Sequence, residues 1–433
     1  MKTNMQKYPA YKDSGVEWLG EIPSHWDLTR LGTRFEERKT KVSDKDFPPL
    51  SVTKNGTIPQ LDSAAKSNDG DNRKLVKTGD FVINSRSDRK GSSGIAYQDG
   101  SVSLIYIVME PKGIHSIYCN YLLKSYNFIE EFYRMGHGIV ADLWTTRYDE
   151  MKVIMVGIPS LEEQTAIAAF LDHKTALIDQ AIVIKQKQIE LLKERSQILI
   201  NKAVTRGLNP NAKMKDSGVE YLGDIPKEWN IVRFKYIIRT KARLGWKGLK
   251  ASEYVDNSDY GFLATPNIKG ENIDYSGAYF ITKKRYEESP EIMLKKDDIL
   301  LVKDGSTLGI INIVKSMPFN CTVNSSIAVL RILDDNLLNA EYLNYFLKSD
   351  YSQKIIELKK DGMGVPHLFQ SDINNFIALM PTFNEQKEII IHIEKQITKI
   401  TTAISLKEQE IEKLKEYKAT LINSAVTGKI KVC

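Results

Sequence analysis

The side chains in this chain best suited to chemistry are cations and small polar groups on glycine-rich turns. From Arg233 to Lys250 the chain holds Arg233, Lys235, Arg239, Lys241, Arg243, Lys247 and Lys250, with Trp246 among them and no acid. Such a strip suits contact with phosphates, the aromatic lying near a groove. A solvated lysine-rich surface is the plainer alternative. The first half offers Arg30, Arg34, Arg38, Lys39 and Lys41, diluted by Glu36 and Glu37. Two turns, 85–94 and 303–309, are rich in Ser and Gly. Arg86, Arg89 and Lys90 have donors that can pair with guanine N7 and O6, and Ser92, Lys303, Ser306 and Thr307 join them, the hydroxyls being less selective. An ordinary strand-to-strand loop is the alternative there. Two glycine loops follow, Gly136-His-Gly-Ile139 and Gly362-Met-Gly-Val365, and just beyond them Arg147, His367 and Gln370 are candidates to touch nucleic acid. Trp144 and Phe369 read as core anchors.

Catalytic patterns are scarce. The chain has no G-x-S-x-G, no H-E-x-x-H, no Walker A loop and no metal spacing among its six histidines. Glu416-Tyr-Lys418 resembles the tail of a nuclease motif but sits in mid-helix without a partner acid. Asn209-Pro-Asn-Ala212 is not the tetrapeptide of amino-methyltransferases. The chain reads as a binder, with no catalytic residue, no metal and no cofactor of its own.

These residues must be positioned by something, and the chain is written twice. Tyr11-Lys-Asp-Ser-Gly-Val-Glu-Trp-Leu-Gly-Glu-Ile-Pro-Ser-His-Trp26 recurs as Met214-Lys-Asp-Ser-Gly-Val-Glu-Tyr-Leu-Gly-Asp-Ile-Pro-Lys-Glu-Trp229. Two stretches, 161–206 and 383–427, follow one heptad ruler. Leu171, Ile178, Ile182, Ile189, Leu192 and Leu199 in the first, and Ile393, Ile397, Ile400, Ile404, Ile411, Leu414 and Leu421 in the second, are spaced by three, four or seven residues. Spacing sustained this long predicts a coiled-coil seam. Each rod opens on Ser or Thr three residues before Glu (Ser160 and Glu163, Thr382 and Glu385), which predicts a capping box. Gly207 and Gly428 stand where a left-handed residue would close each helix. A helix of about 45 residues spans about 68 Å. Connectivity makes the rods antiparallel if they pair, and brings the Trp26 motif to the end of the second rod. Trp18, Trp26, Trp229 and Tyr221 are expected to pack under the rod ends, with Asp13 and Asp216 capping turns.

The bulk numbers agree with a multidomain binder. At 433 residues with 42% hydrophobic and 27% charged residues, two or three folded domains are expected and disorder is not. The net charge of +6 is a mild pointer to polyanions. Cys119, Cys321 and Cys433 lie far apart, so neither a disulfide framework nor a zinc knuckle is indicated. No signal peptide or membrane span is legible, and a cytoplasmic protein is expected.

With its duplicated Gly-Val-Glu-x-Leu-Gly-x-Ile-Pro-x-x-Trp edges, its Pro-x-x-x-Glu-Gln rod starts (Pro159 to Gln164, Pro381 to Gln386) and Ala-Val-Thr at both rod ends, the chain resembles the DNA specificity subunit of type I restriction-modification systems. That resemblance implies two target recognition domains, each reading one half of a split double-stranded DNA site. It also implies helices that act as spacer and as dock for methyltransferase subunits. S-adenosylmethionine, Mg and ATP then belong to those and to the restriction/translocase subunits. The expected fold is mixed α/β (α+β), two such domains joined by two long antiparallel coiled-coil helices in an internal pseudo-two-fold repeat. The expected segments are 1–160, first domain; 161–206, first spacer helix; 207–213, linker; 214–382, second domain; 383–433, second helix and tail. A non-catalytic scaffold or adaptor whose domains bind proteins is the alternative.

Overall fold

The computed structural model describes residues 6–62, 70–138, 144–242, 249, 251–269, 272–360 and 366–432. It divides into two compact units, Met1–Gln186 with Glu408–Cys433, and Lys187–Lys407. The long helices run Leu161–Arg206 and Phe383–Val426, so each unit owns a stretch of both.

In the first unit, strands Ser93–Ile95, Phe81–Asn84, Tyr106–Pro111 and Phe35–Glu37 form an antiparallel sheet in that order. Side chains alternate across a strand, and here both faces are covered. Phe81, Ile83 and Ile107 face a core built with Tyr118, Leu122, Phe128 and Phe132 from two short helices. Val82 and Val108 face the other way, onto Leu50, Val52, Val76 and Val102. This is why the whole strand Phe81–Asn84 is buried rather than every second residue.

The second unit repeats the plan. Its sheet orders Ile311–Ile313, Ile299–Val302, Ile327–Ile332 and Ile238–Lys241. Ile299 and Leu301 face Tyr342, Leu343 and Phe346, while Leu300, Val302 and Val329 face Leu263, Ile292 and Val323. The second layer is larger here, with Tyr260–Leu263 paired parallel to Asn320–Val323.

Within each unit the two long helices pack against each other and against the sheet's helical layer. In the first, Leu171, Ile178, Ile182, Leu414 and Leu421 share one core. Lys185 Nζ donates to Glu410 Oε2 at 2.6 Å and Lys418 Nζ to Asp179 Oδ1 at 2.7 Å. As one helix number falls from 185 to 179 the other rises from 410 to 418, so the stretches are antiparallel. In the second unit Ile200, Ala203 and Val204 meet Ile389, Ile390, Ile393 and Ile397. Every seam residue expected from the heptads, including Ile189, Leu192, Leu199, Ile400, Ile404 and Ile411, is buried or half-buried.

What fixes each helix to its sheet layer is a joint that occurs twice. Strand Asp27–Arg30 pairs with Met155–Ile158 so that Asp27 faces Ile158, which sets Trp26 beside Pro159 and the start of the first long helix. One turn in, Glu163 Oε1 accepts from Trp26 Nε1 at 3.1 Å and from the Tyr8 hydroxyl at 2.5 Å. In the second unit Asn230 faces Met380, and Glu385 Oε2 accepts from Trp229 Nε1 at 3.0 Å. Both indoles are almost wholly buried. Next to each Glu, a buried Gln closes the joint. Gln164 donates to Pro159 O and accepts from His115 N, the N-cap of helix Ser116–Leu123. Gln386 donates to Pro381 O and Leu337 O and accepts from Asn339 N, the N-cap of helix Ala340–Leu347. The capping boxes therefore form only in half. Ser160 and Thr382 do accept from the Glu163 and Glu385 amides, but the carboxylates turn to the tryptophans.

The far end of the other long helix completes each joint. Gly428 has φ +73°, and a Cβ there would lie 2.3 Å from Pro23 and 3.2 Å from Trp26. Gly207 has φ +72°, and its Cβ would lie 3.2 Å from Trp229. Both positions disfavour a side chain by conformation, and Gly428 excludes one by space as well. Lys429 Nζ donates to Leu19 O and Glu21 O, so the Trp26 motif does meet the end of the second helix. Tyr118 donates to Val426 O and Tyr342 to Val204 O, and burial pushes both phenols well above their usual range, keeping them donors. Asp13 and Asp216 cap turns, accepting from Gly15 N and Gly218 N. Tyr221 departs from expectation: it is 55% exposed with φ +66°, since its turn points it away from the core.

Glu385→Ala would leave the Trp229 N–H buried without an acceptor, at a cost of about 1–3 kcal/mol. Glu412→Ala, which loses only an exposed pair with Lys415, should change stability by less than about 0.5 kcal/mol. Urea denaturation of the full chain checks the contrast.

Candidate nucleic-acid interface

In the first unit the polar turn after strand Phe81–Asn84 is stitched to the segment beyond the glycine loop. Asn84 Oδ1 accepts from Arg86 N at 2.9 Å, Ser87 N donates to Trp144 O at 3.0 Å, and Thr146 N donates to Ser85 O at 2.9 Å. Arg86 bridges Thr145, which brings Arg86 and Arg147, distant in sequence, onto one rim. Both are exposed, as is Arg89 beside Asp88. Lys90 is partly engaged, donating to Glu130 Oε2 at 2.6 Å. Ser92 corrects the sequence reading. It is 7% exposed because its backbone pairs with Asn84 and Arg89 inside the turn. Trp144 is half-buried, its Nε1 donating to Tyr133 O at 2.8 Å, in keeping with an anchor.

The second unit places the same parts with different chemistry. Gly305 N donates to Pro366 O and Leu368 N to Lys303 O, zipping the turn 303–309 to segment 366–370. Lys303 pairs with Asp304 at 2.9 Å and is 14% exposed, while His367 Nδ1 is hydrogen-bonded by Asp304. Ser306 is exposed and Thr307 half-buried. Gln370 Nε2 donates to Thr240 O at 2.9 Å, bringing this segment against strand Ile238–Lys241. Along that strand Ile238 and Thr240 are buried, while Arg239 is exposed and Lys241 half-buried. Arg243, Lys247 and Lys250 lie outside the described residues, as does the loop 362–365. Phe369 overturns the expectation of a core anchor: it is 49% exposed, because Leu368 and Ile373, both at 0%, fill the core on either side.

Just before each of the strands Phe81–Asn84 and Ile299–Val302 lies a half-buried ion pair that the sequence did not single out. Arg38 grips Asp80 through Nε at 2.7 Å and Nη2 at 3.1 Å. Arg331 grips Asp298 at 2.7 and 2.6 Å. Hydrogen bonding to the carboxylates raises both guanidinium pKa values. Arg38 is thereby withdrawn from the first half's basic run. Its neighbours are neutralised too, Glu37 pairing with Lys74 and Lys39, and Glu36 with Lys112. The matching strand of the second unit keeps Arg239 and Lys241 unengaged among the described residues. No group of three or more His, Cys, Asp or Glu among the described residues could hold a metal ion. No helix among them is long and apolar enough to cross a membrane.

Residues 226–416 match the family model described as "Type I restriction modification DNA specificity domain". The MjaVIII type I restriction enzyme specificity subunit of Methanocaldococcus jannaschii is 24% identical over 427 residues, covering 95% of this chain and 94% of that protein. A chain solved in work on complex assembly and conformational transition of the type I R-M system has a TM-score of 0.68 at 14% identity, over 94% of this chain and 98% of that one. The HsdS subunit from Thermoanaerobacter tengcongensis gives 0.54 at 15% identity, with the same coverage. The two structures show a shared fold. Along nearly its whole length, then, this chain is similar to type I restriction-modification specificity subunits, and part of its second half matches the model of their DNA specificity domain; the resemblance drawn from the duplicated edges is borne out.

Arg239→Ala or Lys241→Ala should weaken duplex binding alike on all sequences and flatten its salt dependence by about one counterion each. Binding titrations from low to moderate salt, on target and non-target duplexes, check this; a loss confined to the target would make these residues base readers.

Proposed function

We infer that this chain is the sequence-reading, non-catalytic subunit of a type I restriction-modification complex. Each unit reads one half of a bipartite duplex site through its turn, its post-loop segment and its exposed sheet edge. Phosphate contacts set position and base contacts give sequence. The observation that carries this reading is the pairing of closely matched joints with dissimilar rims. Trp, Glu, Gln and Gly recur at the joint, while the rim offers Arg86, Arg89 and Arg147 in one unit and Arg239, Ser306, Phe369 and Gln370 in the other. A protein that must address two different half-sites needs that combination.

The long helices then serve as spacer and as dock for methyltransferase subunits, which carry S-adenosylmethionine; restriction/translocase subunits supply the Mg- and ATP-dependent steps, all in the cytoplasm. Leu177, Ile184, Leu191 and Ile198 support docking. Seven residues apart, they share one face of the first helix away from its seam, and each is about half exposed.

Mapping of methylated adenines in cells that carry the chain with its methyltransferase should return a split motif with two unlike halves. Removing one heptad from both helices in register should shorten the gap and leave both halves unchanged. A continuous motif, or an unchanged gap, would contradict the proposal. A scaffold role would show itself as no salt-sensitive duplex binding even with partner subunits present.

A further inference from the structure

One residue of the second unit's rim, Phe369, is apolar and yet half exposed. Arg147 opens helix Tyr148–Met151 and Phe369 opens helix Gln370–Asn375, each two residues beyond the backbone bridge to its turn, Arg86 to Thr145 and Asp304 to His367. The two residues therefore occupy matching places. Where the first unit presents a guanidinium, the second presents a phenyl ring.

That ring is held outward. Its backbone is pinned on both sides, Leu368 N to Lys303 O at 2.9 Å and Asp372 N to Phe369 O at 3.0 Å. The ring stands edge-on to His367, centroids 4.5 Å apart at 74°, and Asp304 holds that imidazole by a hydrogen bond. A phenyl group half in water forgoes the stabilisation that burial would give, so an apolar contact in a complex is favoured. Its surroundings say what kind of complex. Gln370 ties this segment to the strand that carries Arg239 and Lys241, cations unengaged among the described residues. An apolar ring on a segment tied to a strand with two cations fits a duplex groove, where the cations meet phosphates. In the major groove the apolar feature offered by the bases is the 5-methyl group of thymine.

We propose that Phe369 is a specificity-determining residue of the second unit, packing on the 5-methyl group of a thymine in its half-site. This rests on the DNA-reading function inferred above. The test uses the full chain assembled with its methyltransferase subunits and duplexes bearing the mapped target, each thymine of the second half-site replaced in turn by deoxyuridine. One replacement should weaken wild-type binding about fourfold, as expected for removal of one buried methyl group. At that position Phe369→Ala should be indifferent and Phe369→Leu should keep part of the discrimination. Replacements in the first half-site should affect wild type and Phe369→Ala alike. If no replacement weakens wild-type binding, or Phe369→Ala keeps the full penalty, the assignment to Phe369 is overturned while selective binding of the unmodified target still supports the function. If wild type binds no sequence selectively, the function and this assignment fall together. Unfolding midpoints of the variants, expected to match wild type because the ring is half exposed, distinguish a missing ring–methyl interaction from a damaged fold.

Discussion

The two almost wholly buried indoles of this chain, Trp26 and Trp229, each find an acceptor for the ring N–H in the first turn of a long helix. Trp26 with Glu163, and Trp229 with Glu385, join the strand that opens each sheet layer to the helix that leaves it. The neighbouring glutamines extend the tie to the N-cap of a packed helix, and a left-handed glycine from the other long helix closes against the same tryptophan. An unsatisfied polar group here would be costly in a low-dielectric setting. The rest of each unit is built outward from that fixed point.

Because the joint settles how each sheet layer meets its helices, the surface at the other end of the strands is free to differ. The half-buried ion pairs illustrate this. Asp80 and Asp298 hold the same place before the buried strand, yet the cation arrives from Arg38, just past the strand Phe35–Glu37, in one unit and from Arg331 on the inner strand in the other. The outcome for charge is opposite: the first unit's strand is neutralised by Glu36 and Glu37, and the second unit's displays Arg239 and Lys241. The two units thus share one plan and present strands of unlike charge.

How much of this was legible in the sequence follows from the range of the interactions. Heptad spacing and the copied edges are local patterns, so the paired helices, the mixed α/β units and the return of the Trp26 motif to the second helix's end could be read directly. The partner of Glu163 could not. Spacing alone pairs it with Ser160, and only the register of Asp27 against Ile158 reveals Trp26 as the competing partner. Ser92, Phe369 and Tyr221 failed for a related reason: residue type argues for surface or core, but neighbours such as Leu368 and Ile373 decide which side chain takes the interior. In one dimension the Gln of Pro-x-x-x-Glu-Gln is only a family mark, and its physical task, holding an N-cap, appears only in three.

If the joint lets a reading layer be changed without disturbing its setting, exchanging residues 230–380 for those of a similar subunit, with Trp229, Glu385 and Gln386 kept, tests it most directly. Methylation mapping of cells carrying that hybrid should show a new second half-site beside the original first half and the original gap. A change in both halves, or in the gap, would contradict the account.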